Sequence, residues 1–193
     1  MSRKRTILLA ALSMSFTASS ALFPEVASAQ STSVSTRIVN EQSGLAAFVA
    51  APPGCHDFGC LNGSPLRLAA PIDSSVFFAA WGNDGVFQIH WTLSKCLDLL
   101  GHDTTNGTPV VLNDCNGSPS QNWIGVRFNP LTPASSHEFA LVNRGTGTKC
   151  LDARNPAFPN PPPVGALLQI WSCFTDPNSP AHGNQTWLID LQH

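Results

Sequence analysis

Short apolar segments separated by turn dipeptides run through most of this chain. Val110–Leu112 and Ala166–Ile170 are apolar runs of strand length. Asn62-Gly63, Asn106-Gly107 and Asn116-Gly117 are turn signals, because both residue types tolerate the backbone conformations of tight turns. After residue 29 the apolar positions show no convincing helical period. The pattern therefore predicts an all-β fold made of short strands.

Two segments of the chain repeat the same order of residues. Each has a Lys-Cys-Leu-Asp tetrapeptide, then a second cysteine, then a Gln-x-Trp triplet. They lie at Lys95–Asp98, Cys115 and Gln121–Trp123, and again at Lys149–Asp152, Cys173 and Gln185–Trp187. So many shared residues in one order indicate an internal repeat.

A third, degenerate copy lies upstream of these two. The places of the tetrapeptide, the second cysteine segment and the triplet are taken by Gly44–Phe48, Leu66–Pro71 and Ala79–Trp81. The copies span roughly residues 37–84, 85–127 and 137–191. Three similar all-β units predict a closed three-fold β structure, in which Trp81, Trp123 and Trp187 pack around one shared core.

The cysteines follow the same repeat. Both repeat cysteines are missing from the first copy, where Ala46 and Pro71 replace them. Joint loss is what a disulfide within each copy predicts, because a lone survivor would be a free thiol. We therefore predict the disulfides Cys96–Cys115 and Cys150–Cys173, and a short loop closed by Cys55–Cys60.

The N-terminus has the three parts of an export signal. Arg3–Arg5 is positively charged, Ile7–Leu22 is apolar but diluted with Ser and Thr, and Ala27–Ala29 is a small-x-small cleavage site. A spanning helix needs roughly 20 mostly apolar residues, so we expect no membrane insertion. We predict a signal peptide over residues 1–29, cleaved near Ala29, and a secreted or extracytoplasmic domain over residues 30–193. A retained anchor or a lipoprotein is the alternative, although no cysteine follows the cleavage site.

The net charge of the chain bears on which kinds of partner it can bind. The formal net charge is −2, and removal of the basic signal makes the mature chain more negative. A nucleic-acid-binding protein is expected to have a basic face, so we expect no nucleic-acid partner. A surface poor in charge and rich in Ser, Thr, Asn and Gly suits neutral, hydroxyl-rich ligands.

The repeated order of residues resembles the Q-x-W repeat of ricin-B-type lectins, whose fold is the β-trefoil. The resemblance spans roughly residues 37–191 and implies a β-trefoil with a degenerate first repeat. In that family one sugar pocket can form in each repeat. An Asp accepts hydrogen bonds from sugar hydroxyls, an aromatic ring stacks on the sugar, and a Gln and an Asn complete the polar contacts.

The third repeat matches this pattern at every position. The resemblance implies that Asp152 is the acceptor, Trp171 the stacking platform, and Gln169 and Asn184 the further polar contacts. Gln185, the first residue of the triplet, is expected to brace the site. Carboxylates accept hydrogen bonds only, and a Trp ring offers a flat face to the C–H groups of a pyranose.

The other two repeats depart from the pattern. The second keeps Asp98 but has Val111, Asn113 and Ser120 at the remaining positions. Asp98 is thus a weaker candidate for sugar binding, and the alternative is that it holds a turn. The first repeat has Phe48, Arg67 and Ala69 at the matching positions, and we expect it to be structural.

A proline-rich insert follows the third-repeat Asp. Residues 155–164, here called the insert, contain five prolines. Three interpretations stay open: a stiff wall that selects longer glycans, an obstruction of the pocket, or a solvated loop. We hypothesise that the insert shapes specificity.

Catalytic and metal chemistry find little support in the residues. After residue 29 the only glutamates are Glu41 and Glu138, whereas glycosidases generally use two facing carboxylates. Cys55–Cys60 includes a His and an Asp and could be a metal clip, but a disulfide loop is the favoured interpretation because zinc needs four ligands. We predict no enzyme activity, no metal and no cofactor.

Two functions remain. The first is a lectin that binds glycans or glycoconjugates, of galactose type or related, through one C-terminal site. The alternative is the cell-binding subunit of a multi-subunit bacterial toxin of the cytolethal distending type, with other toxin subunits as partners. The apolar run Val76–Trp81 would suit such an interface, unless it is a buried strand.

Overall fold

Antiparallel β-strands and short 3-10 turns account for the regular structure, and no described residue is in an α-helix. The strands are β1 Ser33–Asn40, β2 Ala46–Val49, β3 Ser64–Ala69, β4 Phe77–Trp81, β5 Val86–Thr92, β6 Lys95–Leu99, β7 Val110–Asp114, β8 Asn122–Val126, β9 Glu138–Asn143, β10 Lys149–Ala153, β11 Leu168–Ser172 and β12 Trp187–Leu191. The 3-10 turns are Pro71–Asp73, Leu100–His102, Pro119–Gln121 and Pro180–Gln185.

The structure is a computed structural model that describes residues 33–55, 61–73, 75–81, 85–92, 94–127, 138–174, 176 and 180–191. Residues 31–193 form one unit by their contacts. The predicted signal peptide and its cleavage site near Ala29 lie outside the described residues. In the described part of the chain, no helix is both long and apolar enough to cross a membrane.

Six strands close into a barrel. β1 pairs with β4, β4 with β5, β5 with β8, β8 with β9, β9 with β12, and β12 with β1. The other six strands form three hairpins, β2–β3, β6–β7 and β10–β11. Each third of the chain thus supplies two barrel strands and one hairpin. This is the three-repeat β-trefoil that the sequence predicted, and closure leaves the barrel without an unpaired edge.

Strand register aligns the three copies. The cross-strand pairs Phe48↔Arg67, Asp98↔Val111 and Asp152↔Gln169 occupy the same place in their hairpins. These are the positions at which the sequence alignment placed them. The degenerate first repeat therefore keeps the hairpin and its register, although it has lost both cysteines and the acidic residue.

The core is built from apolar side chains that alternate along the strands. Trp123 and Trp187 are fully buried in one cluster with leucines of all three hairpins. Trp81 ends β4, and its side chain lies outside the described part of the structure. In β4 itself, Phe77 is buried whereas Phe78 is exposed, as the period of two in a half-buried strand requires.

Two of the predicted disulfides are present. Cys96 is bonded to Cys115, and Cys150 to Cys173. Cys55 is also disulfide-bonded, but its predicted partner Cys60 lies outside the described residues. The disulfides join the first and second cysteines of a repeat, so each one fastens the end of a hairpin.

Candidate functional site

The β10–β11 hairpin brings the acidic and aromatic residues of the third repeat together. Asp152 on β10 faces Gln169 on β11 in the strand register. Trp171 lies two residues beyond Gln169, so both side chains project from the same face of β11. The tetrapeptide and the second strand of the repeat thus build one surface.

The Asp152 carboxylate is held by two amide donors. Its Oδ1 accepts from Gln169 Nε2 at 2.9 Å, and its Oδ2 accepts from Gln185 Nε2 at 3.2 Å. The side chain is almost fully buried, and burial raises the pKa of Asp152 to about 6 against the opposing effect of these two hydrogen bonds. Each carboxylate oxygen keeps a lone pair that can accept from a ligand hydroxyl.

Gln185 lies beneath the site. It is fully buried, donates to the Ser172 carbonyl at 3.1 Å, and accepts from the Phe174 amide at 2.9 Å. Gln121 makes the matching contacts to Asp98 and to the main chain in the second repeat. The triplet Gln therefore donates a hydrogen bond to the acidic residue in both repeats.

The second repeat supports the aromatic platform. Trp171 is 38% exposed, and a Cβ added to Gly107 would lie 3.7 Å from its ring. Gly107 has a φ of +92°, a conformation that disfavours other residues. Next to it, Asn106 Oδ1 accepts from the Ser172 amide at 2.9 Å and from Lys149 Nζ at 2.7 Å. The turn of one repeat is therefore fastened beside the platform of the next.

These residues line a cavity of about 600 Å³. Its lining is Gly107, Asp152, Arg154, Asn155, Pro156, Phe158, Gln169, Trp171, Phe174 and Asn184. The four residues predicted to contact the sugar, Asp152, Gln169, Trp171 and Asn184, are among them, whereas Gln185, predicted as a brace, is not. The insert contributes a wall through Asn155, Pro156 and Phe158, and it leaves the cavity open.

Sequence reasoning missed several of the lining residues. The proline cluster pointed to the insert, but nothing in its residues identified Asn155 or Phe158 as lining. Asn155 Nδ2 donates to Asn184 Oδ1 at 3.1 Å, so the insert contacts one of the predicted polar residues. Arg154 lies directly after the hairpin strand, and no sequence pattern identified it as a lining residue.

The second repeat forms a smaller, polar depression of about 230 Å³, whose described lining includes His102 but no Trp or Phe. Asp98 is fully buried there, and its oxygens accept from the Leu99 amide, Asn113 Nδ2 and Gln121 Nε2 at 2.7–3.1 Å. Asn113 takes the place of the platform and turns inward to the carboxylate. These internal contacts favour the turn-holding interpretation of Asp98.

His102 lies near Asp98 and Ser120, a set of residue types found in hydrolases. Its Nδ1 lies 2.9 Å from Ser120 Oγ and 3.6 Å from Asp98 Oδ1. A relay requires the serine and the carboxylate on opposite ring nitrogens. Here both face the same nitrogen, so the geometry does not activate Ser120.

In the first repeat, Arg67 occupies the place of Gln169. Its guanidinium donates to the Gly165 carbonyl at 2.8 Å. Arg67 thus fixes the chain just before β11, so the first repeat helps to position the hairpin of the third.

Residue types that can bind metal ions come together at two places in the chain. The segment Cys55–Cys60 lies mostly outside the described residues. Among those described, His90, Cys96 and Cys115 form one cluster, with His90 Nδ1 at 3.5 Å from each sulfur. The two sulfurs share a disulfide, so they are not the thiolates that bind zinc.

One family model and one curated protein are similar to parts of this chain. A family model described as ricin-type beta-trefoil lectin domain-like matches residues 76–171. Among curated proteins, a probable lipoprotein, EnvE, of Salmonella typhimurium (strain LT2) is 32% identical over 72 residues, which cover 34% of this chain. The matched region spans 38% of that relative's length.

Solved structures share the fold at low identity. The designed three-fold symmetric protein ThreeFoil superposes with a TM-score of 0.60 at 19% identity, over 80% of this chain and 96% of that one. The ricin B-like lectin of Macrolepiota procera, solved in complex with lactose, gives a TM-score of 0.55 at 15% identity, over 82% and 95%. At these identities the similarity concerns the fold.

Proposed function

The chain belongs to the ricin-type β-trefoil lectin family, and on that premise we propose that it is a carbohydrate-binding module with one sugar site at Asp152 and Trp171. The observation that carries the proposal is their convergence in one open cavity, where a buried acceptor lies beside a partly exposed indole ring. The two features suit the two sides of a pyranose, its hydroxyls and its C–H face.

The chemistry of binding follows from the contacts. Two adjacent sugar hydroxyls donate to the free lone pairs of the Asp152 carboxylate, while the Trp171 ring stacks on the apolar face of the sugar. Gln169 donates to Asp152 through Nε2, which leaves its Oε1 as a further acceptor. Galactose-type sugars, or related ones, are the proposed ligands.

A single pocket of this kind binds weakly. An affinity between millimolar and tens of micromolar corresponds to about 4–6 kcal/mol. Useful avidity therefore calls for a multivalent glycan surface or for several copies of the protein.

A glycan array probed with the mature protein tests the proposal. Trp171→Ala and Asp152→Asn should abolish the signals of the wild-type protein. Phe78→Ala is the matched control, because Phe78 is also 38% exposed but lies on β4 and does not line the cavity. Unchanged signals with Trp171→Ala, or loss with Phe78→Ala alone, would contradict the proposed site.

We propose a binding role without catalysis. Asp152 is the one carboxylate that lines the cavity among the described residues, whereas glycoside hydrolysis generally uses a pair. Incubation of a bound glycan with the protein, followed by product analysis, should return the glycan intact.

We also propose that the protein acts outside the cytoplasm. The predicted signal over residues 1–29, the disulfides and the partial similarity to a probable lipoprotein support this location. N-terminal sequencing of the secreted protein tests it, with Gln30 as the expected first residue.

The role of a toxin subunit is the second candidate. The observation that favours it is that Val76 and Phe78 are 44% and 38% exposed on the run proposed as an interface. Co-expression with the products of neighbouring genes, followed by size-exclusion chromatography, should yield a stable complex that Phe78→Asp disrupts.

A further inference from the structure

The insert fixes which way the Asn184 amide faces. Asn155 Nδ2 donates to the Asn160 carbonyl at 2.6 Å, and Asn155 Oδ1 accepts from the Ala157 amide at 3.2 Å. Main-chain partners on both sides determine the orientation of the Asn155 amide. Its second contact, to Asn184 at 3.1 Å, is therefore made through Nδ2 as donor, and the Asn184 atom must be the acceptor oxygen.

This orientation of the Asn184 amide determines which hydrogen-bonding groups the cavity offers to a ligand. With one lone pair of its oxygen engaged by Asn155, Asn184 keeps its Nδ2 as a donor for a ligand. Asp152 and Gln169 offer acceptors in the same cavity. A complementary ligand thus combines hydroxyl donors for Asp152 and Gln169 with an acceptor group for Asn184.

Arg154 adds a positive charge to the cavity lining. Its side chain is exposed, and no hydrogen bond or ion pair to its guanidinium is formed by the described residues. Asp152, two residues away, does not pair with it: its oxygens are held by amides, and the two residues form no ion pair. A guanidinium without an intramolecular acid, in a ligand cavity, suits a planar or tetrahedral anion.

The cavity also has room for more than one sugar ring. Its volume of about 600 Å³ falls within the range of about 300–1,000 Å³ of pockets that enclose drug-sized ligands. Phe158 of the insert lines it with 46% of its surface exposed. It gives the cavity an apolar surface on the insert side, in addition to Trp171.

Building on the proposed sugar site, we propose that the insert and Arg154 form an anion-accepting subsite, so that the preferred ligand is an acidic saccharide of at least two residues. A neutral ring binds at Asp152 and Trp171. Its neighbour, carrying a carboxylate or a sulfate ester, reaches Arg154 and the Asn184 amide.

Calorimetry with three probes tests this subsite. Lactose is the neutral probe, sialyllactose supplies a carboxylate, and sulfated lactose supplies a sulfate ester. A charge-assisted hydrogen bond should make at least one acidic probe bind about tenfold more tightly than lactose. Arg154→Gln should abolish the preference for that probe over lactose, with both affinities measured on the same variant, whereas Arg154→Lys should keep part of the preference. Arg37→Gln, an exposed arginine on β1 outside the cavity lining, is the matched control.

The outcomes separate the two proposals. A preference for either acidic probe that is lost in Arg154→Gln supports the subsite, and the preferred probe identifies the anion. Equal binding of all three probes, or a preference that Arg154→Gln retains, overturns the subsite but leaves the sugar site standing. If no probe binds and Trp171→Ala changes nothing, the proposed function itself fails.

Discussion

Acidification should weaken sugar binding through a single carboxyl group. The pKa of Asp152 is raised to about 6 by burial, so this group titrates in a range where most carboxylates are already ionised. Only the ionised form offers both oxygens as acceptors to sugar hydroxyls. A neutral sugar such as lactose therefore selects the ionised protein, and protons compete with it.

The size of the effect follows from the fraction of ionised Asp152. With a pKa of about 6, roughly one molecule in eleven is ionised at pH 5, so the apparent Kd should rise about tenfold relative to neutral pH. Below that, it should rise by about a decade for each pH unit. If sugar binding returns the pKa of Asp152 to its ordinary value of 3.8, the loss of affinity should level off at about a hundredfold below that pH.

The stability of the ligand-free protein should move in the opposite direction. The unfolded chain loses the Asp152 proton near 3.8, whereas the folded chain keeps it until about 6. Between these values the folded state holds the extra proton, so this group's contribution to stability falls as the pH rises, by about 3 kcal/mol across the window. His90 and His182, whose pKa values are lowered by burial, have the opposite sign near the same range.

The assay compares wild type with Asp152→Asn from neutral pH to about pH 4.5. Calorimetry gives the lactose affinity, and urea unfolding gives the free energy of unfolding. The difference in stability between the two proteins cancels the histidine contributions, so it isolates Asp152. The wild type should lose affinity and gain relative stability on acidification, while Asp152→Asn should bind weakly at every pH. A wild-type Kd that changes less than about threefold between pH 7.5 and 5 would refute the reasoning.

Two pairs of equivalent residues give further predictions. Gln185→Leu and Gln121→Leu should each lower the free energy of unfolding by about 2–4 kcal/mol, because each removes one donor from a buried carboxylate and leaves main-chain groups unpaired. Only Gln185→Leu should also weaken lactose binding, and equal effects on binding would contradict the bracing role. Trp187 donates its Nε1 to a carbonyl of β10 at 3.0 Å, whereas the Nε1 of Trp123 has no partner among the described residues. Urea unfolding should therefore find Trp187→Phe about 1–3 kcal/mol more destabilising than Trp123→Phe, and the reverse order would argue against this account.

The sequence predicted the fold because its repeats carry the residues that build it. Cysteine pairs, buried tryptophans and the triplet glutamines recur in the same order in the second and third repeats, and this order aligns the hairpins. Even the degenerate first repeat could be aligned, with Phe48 and Arg67 at positions that the hairpin register confirms. Repetition supplied the long-range information that a single sequence usually lacks.

The insert could not be predicted in the same way. It occurs once, so no second copy shows where it lies, and its conformation depends on tertiary contacts. The hydrogen bond from Asn155 to Asn184 joins residues 29 apart in sequence. Nothing in the identity of either residue predicts that it contacts the other. The position of Arg154 at the cavity was missed for the same reason, because a lone arginine has no pattern.

The lysine of the tetrapeptide had no assigned role, and the structure gives it one between repeats. Lys95 Nζ contacts Asn62 Oδ1 at 2.6 Å, and Lys149 Nζ contacts Asn106 Oδ1 at 2.7 Å. In each case the lysine of one repeat holds the Asn-Gly turn of the preceding one. The Lys149 contact brings that turn beside Trp171. The candidate site is therefore a product of the junction between the second and third repeats, not of the third repeat alone.

The residues of the Q-x-W motif differ from those that line a ligand cavity, so a repeat can keep the motif without keeping the cavity. The second repeat keeps its cysteines, Gln121 and Trp123, all of which face inward, and it keeps its fold. It has lost the platform, since Asn113 turns in to Asp98 at 3.1 Å and satisfies the carboxylate from within. The Q-x-W signature thus reports the hairpin and its core. Whether a repeat offers a ligand cavity depends on the outward residues of the hairpin, which the signature does not include.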